Sequence, residues 1–67
     1  MRSYGSRDLL RMLKADGWEL RSVDGSLHNF RHPRKPGRVT LAHPRKDIPL
    51  GTLRSIFEQA GWDWKTR

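Results

Sequence analysis

The three histidines, His28, His32 and His43, are the side chains in this 67-residue sequence best suited to moving a proton near neutral pH. A shared metal ion is disfavoured by their spacing. His28 and His32 lie about 13 Å apart if the segment between them is extended, and the sequence has neither a cysteine nor a helical His-x-x-x-His pair. A serine nucleophile is also poorly supported, because no serine sits in an elbow motif. That leaves chemistry in which the substrate supplies the nucleophile. RNA does so through its 2′-hydroxyl, and the protein then needs only a proton acceptor or donor and cations beside the phosphate. No cofactor is called for. The ordinary reading of each histidine is structural: His28 shares its strand phase with Phe30 and the core, while His32 and His43 precede prolines and cap or line loops.

Fourteen Lys and Arg against seven Asp and Glu leave a formal net charge of +7. On so small a surface this excess gathers polyanions, so nucleic acid is the leading partner class and an acidic protein surface the next. Arg31, His32, Arg34, Lys35, Arg38, His43, Arg45 and Lys46 fall within 16 residues. They are expected to place two basic loops at the ends of one hairpin, bracketing a phosphate backbone. The absence of cysteine is compatible with a reducing, cytoplasmic setting, and no apolar run is long enough to span a membrane.

The elements that must position these groups follow from periodicity and punctuation. Ser6 reads as an N-cap for a helix in which Leu9, Leu10 and Leu13 form the apolar stripe, with Gly17 at its end. Residues 18–23 read as a strand with Trp18 and Leu20 in one phase; Asp24-Gly25 turns the chain into a second strand over 27–32. Val39 and Leu41 mark a third strand over 38–42. Leu53, Ile56, Phe57 and Ala60 mark a second helix that starts near residues 48–50 and closes at Gly61. The expected fold is α+β, ordered α-β-β-β-α: a three-stranded antiparallel sheet with two helices on one face and the other face wet. One domain of 67 residues is expected, its core spanning about 6–62 and residues 63–67 forming a tail.

The segments RDLLRMLKADGWEL, DGSLHNFRHPRKPGRVTL and AHPRKDIPLGTLRSIFEQAGW together resemble the HicA family, the small toxins of HicA–HicB toxin–antitoxin pairs. The resemblance runs from about Ser6 to Trp62. It implies a fold like the double-stranded-RNA-binding domain. It also implies a ribonuclease that cleaves mRNA and is neutralised by a HicB-like antitoxin.

One position departs from the pattern. The family's Gly-Ser turn is usually followed by His-His, the first being the catalytic histidine; here Gly25-Ser26 is followed by Leu27. On the strand phase expected here, Leu27, Asn29 and Arg31 face the solvent, where a groove-facing imidazole would be useful. Leucine can neither take nor give a proton. His28 is the possible substitute, but it faces the other way unless the strand slips by one residue, which would expose Phe30. Ser26, Arg31, Arg34, Lys35, Arg38, Arg45 and Lys46 are the expected RNA contacts. Three roles stay open: an mRNA-cleaving toxin altered at its catalytic position, a basic module that binds RNA without cutting, and a toxin body that sequesters its antitoxin.

Overall fold

The two helices end in the same short phrase, Gly-Trp, and this repetition organises one end of the molecule. The structure, a computed structural model, describes residues 3–66. Helix α1 spans Ser6–Asp16, followed by strands β1 (Glu19–Asp24), β2 (Leu27–Arg31) and β3 (Arg38–Ala42), helix α2 (Leu50–Ala60) and a 3-10 turn over Trp64–Thr66. The sheet is antiparallel in the order β1-β2-β3. The expected α-β-β-β-α order is therefore the observed one.

Each helix closes with a left-handed glycine, Gly17 at φ 98° and Gly61 at φ 73°. The glycine N–H and the following tryptophan N–H return to carbonyls of the last turn: Trp18 to Leu13, at 2.9 Å, and Trp62 to Phe57, at 2.8 Å. Both indoles then converge on one oxygen. Asp16 Oδ2 accepts from Trp18 Nε1 at 3.0 Å, Trp62 Nε1 at 3.1 Å and Lys35 Nζ at 2.6 Å. Lys35 also donates to the Ala60 carbonyl at 3.0 Å. One carboxylate thus ties α1, α2 and the β2–β3 loop. Hydrogen bonds to its charged form, above all from Lys35, outweigh its partial burial and hold the Asp16 carboxyl below the usual range.

A single core joins Leu9 and Leu13 of α1, Phe30, Val39 and Leu41 of the sheet, and Leu53, Ile56, Phe57 and Ala60 of α2. Because Phe30 pairs across from Val39, these core residues share one face of the sheet, and both helices lie on that side. β1 is the exception. Leu20 is in register with Phe30 yet 51% exposed, and Val23 is 49% exposed. The helix stripes cover β2 and β3 and leave the flanking edge strand bare. A bulge between Leu20 and Ser22 keeps Val23 on the same face as Leu20.

Three expectations are corrected here. The N-cap is Gly5, not Ser6: the Asp8 carboxylate reaches back to the Gly5 N–H at 2.9 Å, and Ser6 enters the helix as a buried residue. β2 ends at Arg31, one residue short of His32. Within the stretch 63–67 expected as a tail, Trp64–Thr66 form a 3-10 turn. Trp62 and Trp64 each meet the Phe57 ring edge-on with centroids 5.2 Å apart.

Gly5 is required by close approach. A Cβ there would stand 2.7 Å from the Lys46 carbonyl oxygen and 3.2 Å from that of Arg45, both backbone atoms. Gly5→Ala is expected to cost about 1–3 kcal/mol through overpacking, lowering Tm by roughly 5–20 °C in a domain this small. An unchanged thermal unfolding curve would show that the 45–46 loop is free to move aside.

Candidate nucleic-acid interface

The face of the sheet away from the helices is open and polar. Pairing between β2 and β3 runs without a shift from Leu27–Ala42 to Arg31–Arg38, so strand phase assigns every side chain to a face. Leu27, Asn29 and Arg31 point outward. Asn29 is fixed in the middle row, accepting from Thr40 Oγ1 at 2.9 Å and donating to Ser22 Oγ at 3.2 Å. Arg31 donates to the Gly37 carbonyl at 3.3 Å and lies across from Arg38.

Leu27 opens the strand, 45% exposed, with Asp24 across from it on β1 and Ala42 on β3. The turn before it is anchored, since the His43 N–H donates to the Ser26 carbonyl at 2.8 Å. Position 27 is therefore a held, solvent-facing station on the open face. The Ser26 side chain is exposed beside it.

His28 occupies the opposite face, half-buried. Its Nδ1 lies 3.3 Å from the Ser26 carbonyl, and its ring meets that of His43 edge-on at 5.2 Å. To reach the open face it would have to slip the continuous β2–β3 ladder by one residue. That slip would turn Phe30 out of the core.

His32 has a structural assignment. Its Nδ1 faces the N–H groups of Arg34 and Lys35, at 3.0 and 3.1 Å. Nδ1 must therefore be the acceptor, and the proton sits on Nε2, which donates to the Asp16 carbonyl at 2.7 Å. The ring also packs edge-on against Trp18. This histidine shapes the loop and is spoken for at both nitrogens.

The cations divide into two groups instead of forming one stripe. Arg31, Arg34 and Arg38 stand exposed around one end of the β2–β3 hairpin. Arg45 and Lys46 are exposed past the other end of β3, about 23 Å or more along the chain from Arg38 if extended. Lys35 leaves the set, because its ammonium is already engaged by Asp16 and the Ala60 carbonyl. A charge in the sequence does not announce a partner 19 residues away.

Sequence reasoning missed the contact between Ser6 and His43, whose Oγ and Nδ1 are 2.6 Å apart across 37 residues. No local spacing signals it; a serine at a helix start reads as a cap. Among the described residues no group of His, Cys, Asp and Glu is placed to hold a metal ion, and no helix is long and apolar enough to cross a membrane.

Comparison with known proteins places this geometry in a class: the chain is a small toxin of the bacterial toxin–antitoxin type. It belongs to the HicA toxin family, whose sequence profile matches residues 6–62. It is similar to a chain in the solved structure of the HicA3 and HicB3 toxin–antitoxin complex, with a TM-score of 0.74 and 31% identity over 90% of this chain and 97% of that one. No curated protein sequence matches it.

Proposed function

We propose that this chain is the RNA-directed toxin of a HicA–HicB pair, an mRNA-cleaving fold whose proton-transfer station is position 27 and is disarmed here by leucine. The observation that carries the reading is the placement of Leu27: outward, held by pairing on both sides, on the open face of the sheet. That is where the resemblance puts the catalytic histidine. An imidazole there would take the 2′-hydroxyl proton as that oxygen attacks the neighbouring phosphate, with nearby arginines offsetting the developing charge. Leucine supports RNA binding without this step. The test is paired induction of this chain and its Leu27→His variant in cells without an antitoxin, following growth and mRNA integrity.

The proposed phosphate footprint is Arg31, Arg34, Arg38, Arg45 and Lys46, with the Ser26 hydroxyl at the turn. Neutralising two of these cations is expected to flatten the log–log salt dependence of RNA binding by about two units, somewhat less for a single strand. An unchanged slope removes the pair from the footprint. A HicB-like antitoxin is the proposed protein partner, an acidic surface that covers this face by charge and shape. Its binding does not depend on one imidazole, so this chain should co-purify with an antitoxin encoded beside it as well as the Leu27→His variant does.

A further inference from the structure

Between the start of α1 and the chain leaving β3 lies an open cleft of about 600 Å³. Its walls are sewn together by backbone: the Ser6 N–H donates to the Arg45 carbonyl and the Ile48 N–H to the Tyr4 carbonyl, each at 2.8 Å. Arg7, Arg45 and Lys46 line it with His43 and Asp8. The Asp8 carboxylate is already engaged by the Gly5 N–H at 2.9 Å and the Arg11 guanidinium at 2.8 Å. The cleft therefore carries a surplus of positive charge.

His43 is the unusual member. Ser6 Oγ, on a residue only 1% exposed, lies 2.6 Å from His43 Nδ1, accepts the Arg45 N–H at 2.8 Å and stands 3.2 Å from the Arg45 carbonyl. These contacts admit two complete hydrogen-bond patterns. With neutral His43, the serine proton goes to Nδ1. With protonated His43, Nδ1–H donates to Oγ and the serine proton swings to the Arg45 carbonyl. Every buried donor and acceptor is satisfied in both. Neither pattern leaves an orphaned group inside, and the His43 Nε2 has no hydrogen-bond partner among the described residues. The groups facing His43 are Ser6 of α1 and the edge-on ring of His28 from β2, with Arg7, Asp8, Arg45 and Lys46 around the same cleft.

We propose that this cleft is a second RNA-contact site, taking one phosphodiester between Arg45, Lys46 and His43 Nε2, and that protonation of His43 tightens the grip. The inference rests on the RNA reading above and adds to it a place and a proton dependence. A phosphodiester suits the cleft because its two non-bridging oxygens accept from an arginine fork and an imidazolium N–H together.

The experiment titrates the full isotope-labelled chain with a 2′-O-methyl RNA hexamer, whose diesters keep their charge, at about pH 5.5 and about pH 8, between which histidine changes charge. Expected are a gain of about fivefold or more in affinity at the lower pH, shifts at the Arg45 and Lys46 amides and the His43 ring, and less than about twofold pH dependence in His43→Gln. Lys46→Gln, at an exposed position, should weaken binding without disturbing the fold; it serves if His43→Gln fails to fold. RNA binding that ignores pH, keeps its pH dependence in His43→Gln, or shifts only the Arg31, Arg34 and Arg38 end overturns the cleft and leaves the RNA reading standing. No RNA binding at either pH overturns both. In that case a polyglutamate probe shifting Arg45 and Lys46 would assign the cleft to an acidic protein.

Discussion

Induction of the Leu27→His variant in cells lacking an antitoxin is expected to arrest growth and degrade mRNA, while the chain as it stands does neither. The expected gap is large. A positioned general acid or base contributes about 10²–10⁴-fold to such a reaction, and leucine contributes none of it. The substitution should be structurally quiet. Leu27 is about half exposed and flanked by the small Ala42, so stability should change by no more than about 0.5 kcal/mol. The new imidazole would also find Asp24 across the β1–β2 ladder. That carboxylate is near enough to favour the protonated ring, so Asp24→Asn in the Leu27→His background should shift the acid limb of the rate profile toward lower pH. Leu27→Ala should stay silent, and His28→Ala in the Leu27→His background should stay active. Equal toxicity of the chain and its Leu27→His variant would falsify the assignment of position 27.

The second large effect lies at the opposite end of the molecule. Asp16→Ala removes the one oxygen shared by Lys35, Trp18 and Trp62, leaving both indoles without this acceptor and Lys35 with the Ala60 carbonyl alone. Hydrogen bonds to a charged group contribute about 1.5–3 kcal/mol each when well buried. The Asp16 side chain is 32% exposed, so the expected loss is about 2–3 kcal/mol in all, or roughly 10–20 °C in Tm. The pH dependence has a defined sign. The folded carboxyl titrates below its unfolded value, so its contribution is complete above the unfolded value near 3.9 and drains away as pH falls from about there through the folded pKa. Asp16→Asn should therefore melt lower than the parent at neutral pH and lose less on acidification. Unfolding followed by circular dichroism across that range decides it. Parallel acid limbs for parent and variant would mean another carboxyl governs acid stability.

How far the sequence could be read depended on the distance over which each signal acts. The outward phase of Leu27 and inward phase of Phe30 were legible because alternation is a property of five adjacent residues and β2 carries no bulge. The stripes of both helices and their glycine ends were legible for the same reason. Ser6 was misread because a capping serine and a buried serine look alike until His43, 37 residues on, comes into contact. Lys35 was placed among the phosphate contacts on charge alone, and its true partner is set by how α1 and the β2–β3 loop meet. Leu20 kept the phase of a core residue, but the helices stop short of β1, which periodicity along one strand cannot show. Membership of the HicA toxin family, by contrast, was legible from motifs spread over nearly the whole chain, and the profile match spans 6–62.

The two margins of the sheet are not equivalent. On β3 the Thr40 N–H is already taken by the Gln59 side chain of α2, at 3.0 Å, so a foreign strand cannot dock there without displacing it. Among the described residues no side chain caps a backbone group of β1 in this way, and the apolar Leu20 and Val23 stand on its helix-side face. An incoming strand would therefore meet a side-chain competitor along β3, and along β1 the bulge between Leu20 and Ser22, which interrupts the even row of pairing groups such a strand needs.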